Sequence, residues 1–324
     1  MSSNWVAENR ASVVIYNVLK ALGDGIVFLL PANVCPIVPV TFLKAGVKFE
    51  FIDIAPDTLC LDLSLAEKRI REIPKPGLFY VRSLGIQHEV DATFQCLKQV
   101  NPHLVIIDDR CLSRVTFCEQ YLCASADVTV FSTGVAKYVD LGQGGLGHIR
   151  TDRLEYKSLD LAFSDDALTH VMSSIRTTMR GQVPFNGFSG SDVDWLDTKR
   201  LPFSLAEYRV KIETESDRMS RHKRNINQIY RSGIERRLLP NYSFEMDAWR
   251  FTIFSDNKEH VLGKIFQNDL FASSHYAPLS HLFGGHEEMV AKEVHSRIIN
   301  LFNDFRISEH KALKLVDIVN EASR

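Results

Sequence analysis

The chain has 324 residues, a formal net charge of −2, 45% hydrophobic and 24% charged residues. That length can bury a sizeable core over two domains, and the charge balance offers no basic surface for nucleic acid. No apolar run reaches the roughly eighteen residues needed to cross a bilayer, and MSSNWVAENR lacks the charged start and apolar core of a signal peptide, so a cytoplasmic protein with small-molecule substrates and no membrane partner is expected.

Short apolar runs alternate with segments of helical period. They predict a helix over Glu8–Leu22, a strand over Ile26–Leu30, a helix over Val34–Ala45 and a strand over Lys48–Ile54. A helix over Leu63–Ile73, a strand over Leu78–Val81, a helix over Glu89–Val100 and strands over Leu104–Ile107 and Asp127–Phe131 follow, with a further strand-like run at His148–Thr151. Such alternation predicts an α/β fold, a mostly parallel sheet with helices on both faces. Near residue 200 the texture changes: Ser204 and Glu207 form the S-x-x-E capping box of a long polar helix, Leu205 to about Arg231. Beyond it come a strand at Trp249–Phe254, a helix over Glu259–Gln267, a helix from about Glu287 and a last helix after Ser308. The expected organisation is an α/β domain over 1–203, a connecting long helix over 204–232 and a small C-terminal α+β domain over 233–324.

Six cysteines (Cys35, Cys60, Cys96, Cys111, Cys118, Cys123) form no C-x-x-C pair, so reduced thiols are expected rather than a zinc site or a disulfide framework. His281 and His286 flank a Gly-Gly turn at a spacing unlike a helical metal pair and read as loop residues; no metal is expected. Gly142, Gly144 and Gly147 match G-x-G-x-x-G, but the strand before them lies well upstream and another strand follows, the wrong context for a dinucleotide fingerprint.

Ligands of open α/β sheets sit beyond the carboxyl ends of the strands. Here one strand runs into Asp108-Asp109 and the next into Ser132 and then Lys137, so an acid, a hydroxyl and a lysine meet on one rim. A lysine amine can form a Schiff base with an aldehyde, and pyridoxal phosphate is the commonest biological one. That cofactor needs a carboxylate beside its ring nitrogen, and hydroxyls and helix N-terminal amides around its phosphate. The chain can supply all three.

At these residues the sequence resembles the nucleotide-sugar aminotransferases of the DegT/DnrJ group, fold-type I pyridoxal phosphate enzymes. FSTGVAKYVDLGQGG has that family's serine, four residues, Schiff-base lysine and glycine segment, which implies Ser132 at the phosphate and Lys137 as catalytic residue. VIIDDRCLS is similar to the segment whose second acid meets the pyridine nitrogen, here Asp109, with Asp108 as the alternative. NRASVVIYNVLKAL resembles the helix start at the phosphate, implying Arg10, Ala11 and Ser12. The segment with Pro31, Gly46 and Asp53 also has its counterpart in the family. FASSHYAPLSHLF resembles the segment that carries a His-Tyr pair near the substrate, His275 and Tyr276, and Asn186 falls where the family has an asparagine reaching the partner subunit's phosphate.

The resemblance implies pyridoxal 5'-phosphate as cofactor and a homodimer with active sites at the subunit interface. The implied reaction moves an amino group from glutamate or glutamine to a nucleotide-linked keto-sugar. Two departures keep other readings open: Arg110-Cys111-Leu112 replaces the small residues that usually follow the acid, and Ala32-Asn33-Val34-Cys35 carries no aromatic to cover the cofactor ring. The alternatives are another pyridoxal phosphate reaction on a non-sugar substrate, or a non-catalytic homologue.

Overall fold

The computed structural model describes residues 4–150, 154–181, 194–240, 248–285 and 288–324. Its elements are β1 (Trp5–Glu8), α1 (Ala11–Leu22), β2 (Val27–Pro31), α2 (Ile37–Ala45), β3 (Lys48–Ile52), α3 (Leu63–Glu72), β4 (Pro76–Val81), α4 (Asp91–Val100), β5 (Val105–Asp109), β6 (Val128–Ser132) and β7 (Gly145–Ile149). After them come α5 (Asp165–Gly181), α6 (Leu205–Gly233), β8 (Phe251–Phe254), α7 (Lys258–Gln267), β9 (Ala272–Ser273), α8 (Met289–Arg297), β10 (Ile298–Leu301) and α9 (Glu309–Ala322).

The predicted α/β architecture is present. Seven strands form one sheet in the order β1-β7-β6-β5-β4-β2-β3. From β6 to β3 every pairing is parallel, and β7 and β1 close one edge antiparallel. Continuous apolar runs such as Val27–Pro31 and Pro76–Val81 suit central strands buried on both faces. One face packs on α1 and α2 through Val14, Val18, Leu30, Phe42 and Phe79; the other packs on α3 and α4 through Ala66, Ile70, Phe94 and Leu97. The strand order turns back between β2 and β4, the kind of switch point at which open sheets form a crevice.

The second sheet, β8-β10-β9, is antiparallel and packs with α7, α9 and the C-terminal part of α6 around Tyr230, Phe251, Ile253, Ile299 and Leu315. The capping box at Ser204 and Glu207 forms as read, starting a helix of 29 residues. The Asp53 carboxylate, after β3, accepts from the amides of Val290 and Ala291 and so closes the N-terminus of α8. Leu279 donates to the carbonyl of Ala32, laying the segment 275–285 over the end of β2. Among the described residues no helix is long and apolar enough to cross a membrane.

Several expectations are corrected. The helix read from Glu8 starts at Ala11, because Trp5–Glu8 is taken as an edge strand by β7, and Glu8 turns inward to accept from Asn17, Tyr156 and Ser158. The helix read from Val34 starts at Ile37, the one read from Glu89 at Asp91, and the one read from Glu287 at Met289. The strand read as Leu104–Ile107 runs through Asp109, so both aspartates lie inside β5. The strand at His148–Thr151 is instead Gly145–Ile149, where pairing with β6 and β1 selects the register. Helix α5 and strands β9 and β10 were not anticipated; β9 spans only two residues and β10 four. His286, Glu287 and the loop at Asn186–Asp192 lie outside the described residues.

Candidate functional site

In a strand, successive side chains point to opposite faces. Along β5 this separates the two aspartates. Asp108 is fully buried and accepts from Arg82 at Nε (2.7 Å) and Nη2 (3.1 Å) and from Arg110 Nε (2.7 Å), so its charge is committed to two buried guanidinium groups. Asp109 faces the other way. Its carboxylate accepts from the Cys111 amide (2.8 Å), and burial pushes its proton affinity up, opposed by Cys111 and by the nearby Lys137 ammonium. A desolvated carboxylate in this setting favours a cationic neighbour.

β6 pairs with β5 and ends at Ser132, buried, whose Oγ accepts from Gly134 N (3.3 Å). The chain then turns through Gly134–Lys137, closed by a bond from Lys137 N to Gly134 O (3.2 Å). Asp140 brackets the turn, accepting from Ala136 N (2.8 Å) and Gly142 N (3.0 Å). Lys137 is half-buried and, among the described residues, its amine has no hydrogen-bond or ion-pair partner.

The glycine segment then runs against the start of α1. Gly144 has φ +102 and bridges Arg10, and a Cβ there would lie 2.0 Å from the Tyr208 hydroxyl. Gly145, paired with Ser132, would bring a Cβ within 2.3 Å of Ala11 N. Only glycine permits this approach. It sets the Ser132 strand end beside the first turn of α1, whose leading amides have no intrahelical acceptor and carry the positive end of the helix dipole. Arg10 stands at the N-cap without capping the helix, and its guanidinium donates to Gly142 O (2.8 Å). Arg10, Ala11, Ser12 and Ser132 thus gather at a helix N-terminus, a setting suited to an anionic group.

The opposite wall is the segment 275–276. The His275 ring lies edge-on to Trp249 (5.7 Å) and Tyr276 (4.6 Å), and its buried Nδ1 has no partner among the described residues. Burial, with Arg250 and Lys137 nearby, pushes its pKa down to about 4, so it is neutral near pH 7. The Tyr276 hydroxyl neighbours the Cys35 thiol, with Asp109 and Cys111 close by, and burial raises its pKa well above the ordinary value. Burial also raises the Cys111 thiol.

The low proton affinity of His275 has a measurable consequence. His295, half-buried beside Lys258, is likewise held at about pH 4. An unfolded histidine titrates near 6.5, so between roughly pH 6.5 and 4 the unfolded chain binds more protons and stability is lost as pH falls. At most about 3 kcal/mol per histidine is at stake. Urea unfolding at pH 7.5 and pH 5 should show the loss in the wild type and a smaller one in His275→Asn; an equal loss in both would mean that His275 carries none of it.

The structure therefore brings Lys137, Asp109, His275 and Tyr276 together, and Ser132 with Arg10, Ala11 and Ser12, around the ends of β2, β5 and β6. Asn186 lies outside the described residues. Cys35, Cys111 and Trp249 also belong here. The two thiols sit in segments singled out only as departures from a family pattern, and no local signal marks Trp249. A cavity of about 790 Å³ opens by the Arg82 and Arg110 guanidinium groups that hold Asp108, and neither Lys137 nor Asp109 lines it.

No family model and no curated protein matches the sequence. Solved structures do. Spr1654 of Streptococcus pneumoniae in its PMP form is 16% identical, with a TM-score of 0.75 over 98% of this chain and 87% of that one. DesV of S. venezuelae is 17% identical, TM-score 0.72, over 99% and 85%. A DegT DnrJ EryC1 StrS aminotransferase of Brucella abortus is 17% identical, TM-score 0.68, over 98% and 86%. The chain has the fold of these proteins along nearly its whole length.

Proposed function

We propose that the protein is a divergent pyridoxal phosphate-dependent aminotransferase of the DegT/DnrJ group. The reading is carried by one observation: a Lys137 amine with no partner among the described residues, within electrostatic reach of buried Asp109, on a turn that leads into the glycine segment packed against the α1 N-terminus. The residues present fit the cofactor. Asp109 has a desolvated carboxylate to meet a protonated ring nitrogen, and the close approach of Gly145 to Ala11 puts the Ser132 hydroxyl beside a helix N-terminus, the groups that suit a phosphate. The PMP form of Spr1654 and the aminotransferase of Brucella abortus support the same assignment.

When bound, the cofactor supplies an electron sink for the pair left on an amino-acid α-carbon. Lys137 Nζ would hold its aldehyde carbon, and the same amine, when free, would serve as the base for the proton of the donor's α-carbon. Asp109 keeps the ring nitrogen protonated. Ser132, the Ala11 and Ser12 amides and Arg10 bind the phosphate, with Asn186 contributing across a homodimer interface. Neutral His275 and the Tyr276 hydroxyl orient the non-reacting part of the second substrate. The donor is glutamate or glutamine, and the acceptor a nucleotide-linked keto-sugar, in a cytoplasmic enzyme. The domain division at 1–203, 204–232 and 233–324 belongs to the same proposal.

An absorbance spectrum tests this. Protein incubated with the cofactor should acquire a visible band that glutamate or glutamine bleaches and a nucleotide-linked keto-sugar restores. No band at all would overturn the cofactor assignment. A second reading, a different pyridoxal phosphate reaction on a non-sugar substrate, is favoured by Arg110, which is committed to Asp108, and by the lack of an aromatic at 32–35. A band indifferent to both donors but altered by another amine would select it.

A further inference from the structure

We infer that Trp249 is a positioning residue for Lys137: its indole N–H holds the lysine turn in a left-handed backbone conformation, and a buried polar scaffold centred on Lys223 aims the indole. This rests on the assignment of Lys137 above.

Ala136, immediately before the lysine, has φ 61. A residue with a Cβ adopts that region only at a cost, which glycine would avoid, so local preference does not select this turn. Asp140 and Gly134 brace it from within. One contact comes from far away in sequence: Trp249 Nε1 donates to Ala136 O at 2.7 Å, across 113 positions. That carbonyl belongs to the peptide joining Ala136 to Lys137. The peptide is planar, so fixing its oxygen fixes the direction in which Lys137 leaves the turn.

The indole is itself firmly held. Trp249 is 4% exposed, and the Arg250 guanidinium lies 4.8 Å from its ring centre. The Trp249 carbonyl accepts from Lys223 Nζ at 2.7 Å. Lys223, on α6, is fully buried, bonds Asn303 Oδ1 at 2.7 Å and stands 5.3 Å from the ring of Tyr138, the residue after Lys137. Asn303 in turn donates to Ala248 O (2.9 Å) and Asn227 (3.0 Å), and Arg250 to Asp304 (2.9 Å). A buried ammonium is costly unless fully bonded, and the bonds that repay Lys223 secure the peptide carrying the indole.

The test is the reactivity of Lys137 in the cofactor-free protein toward an amine-reactive label, mapped by mass spectrometry with exposed Lys20 as internal reference. Trp249→Phe keeps a ring and removes the donor. It should raise Lys137 labelling about two- to tenfold, the population change that one net hydrogen bond represents, and leave Lys20 unchanged. Adding Ala136→Gly, which removes the left-handed cost, should bring the labelling back toward wild type; a merely structural role for Trp249 would give no such rescue. Wild-type labelling in Trp249→Phe, or no rescue by Ala136→Gly, would overturn the inference. Should Trp249→Phe not fold, Lys223→Met tests the scaffold with the indole in place and should raise labelling in the same direction; unchanged labelling there would also overturn it. If the labelling behaves as expected but the borohydride-reduced cofactor maps to a different lysine, the functional assignment of Lys137 fails while the clamp on the turn stands.

Discussion

Lys137→Ala is expected to abolish both turnover and the cofactor adduct that borohydride fixes to the protein. The variant lacks the amine that holds the aldehyde and the base that takes the α-proton; the base alone is worth about 10²–10⁴ in rate. The fold should survive, because Lys137 is half-buried and its amine bonds nothing among the described residues, so its loss leaves no unpaired buried group. Reduction followed by peptide mapping reads the result in the wild type. A reduced adduct on any other lysine would show the assignment to be wrong, and a thermal midpoint far below wild type would show that Lys137 also has a structural role.

Asp109→Asn and Asp108→Asn should give opposite patterns although the residues are adjacent. Asp109 bonds one backbone amide and otherwise faces the site, so its replacement should leave folding nearly unchanged. An uncharged amide cannot hold a ring nitrogen protonated, and losing such a charge-assisted contact is worth about 1.5–3 kcal/mol, or about one to two decades in rate. Asp108 bonds two buried arginines, and replacing it leaves a partly uncompensated pair of guanidinium groups inside the protein. Breaking a buried pair typically costs about 3–5 kcal/mol, to be read from urea unfolding. Equal rate defects with equal stability would place the ring-nitrogen contact elsewhere.

The pH dependence of folding separates the two histidines from a buried ion pair. Asp304, beside Arg306 and Arg250, is held at about 2, so its contribution is present above the ordinary carboxylate range and is lost only as pH falls toward 2. Asp304 therefore adds little to the loss expected from His275 and His295 between pH 6.5 and 4.

Local signals determined a good part of this protein. Unbroken apolar runs marked β2 and β4 as buried parallel strands, and Ser204 with Glu207 marked the start of α6, because these patterns are complete within a few residues. The spacing of Ser132, Lys137 and the glycine segment was legible for the same reason. Trp5–Glu8 was not: four residues in front of a helical run carry too little period, and pairing with β7 made them a strand. The alternation of β5 implies that Asp108 and Asp109 oppose each other, but only the packing of Arg82 and Arg110 decides which one faces Lys137. The approach of His275 to Lys137 and the bond from Trp249 to Ala136 depend on how the small sheet seats against the large one. That seating follows from burial of surfaces far apart in the chain, such as Ala32, Leu84, Trp249 and Ile298 in one apolar cluster, and burial energy depends on area removed from water rather than on nearness in sequence.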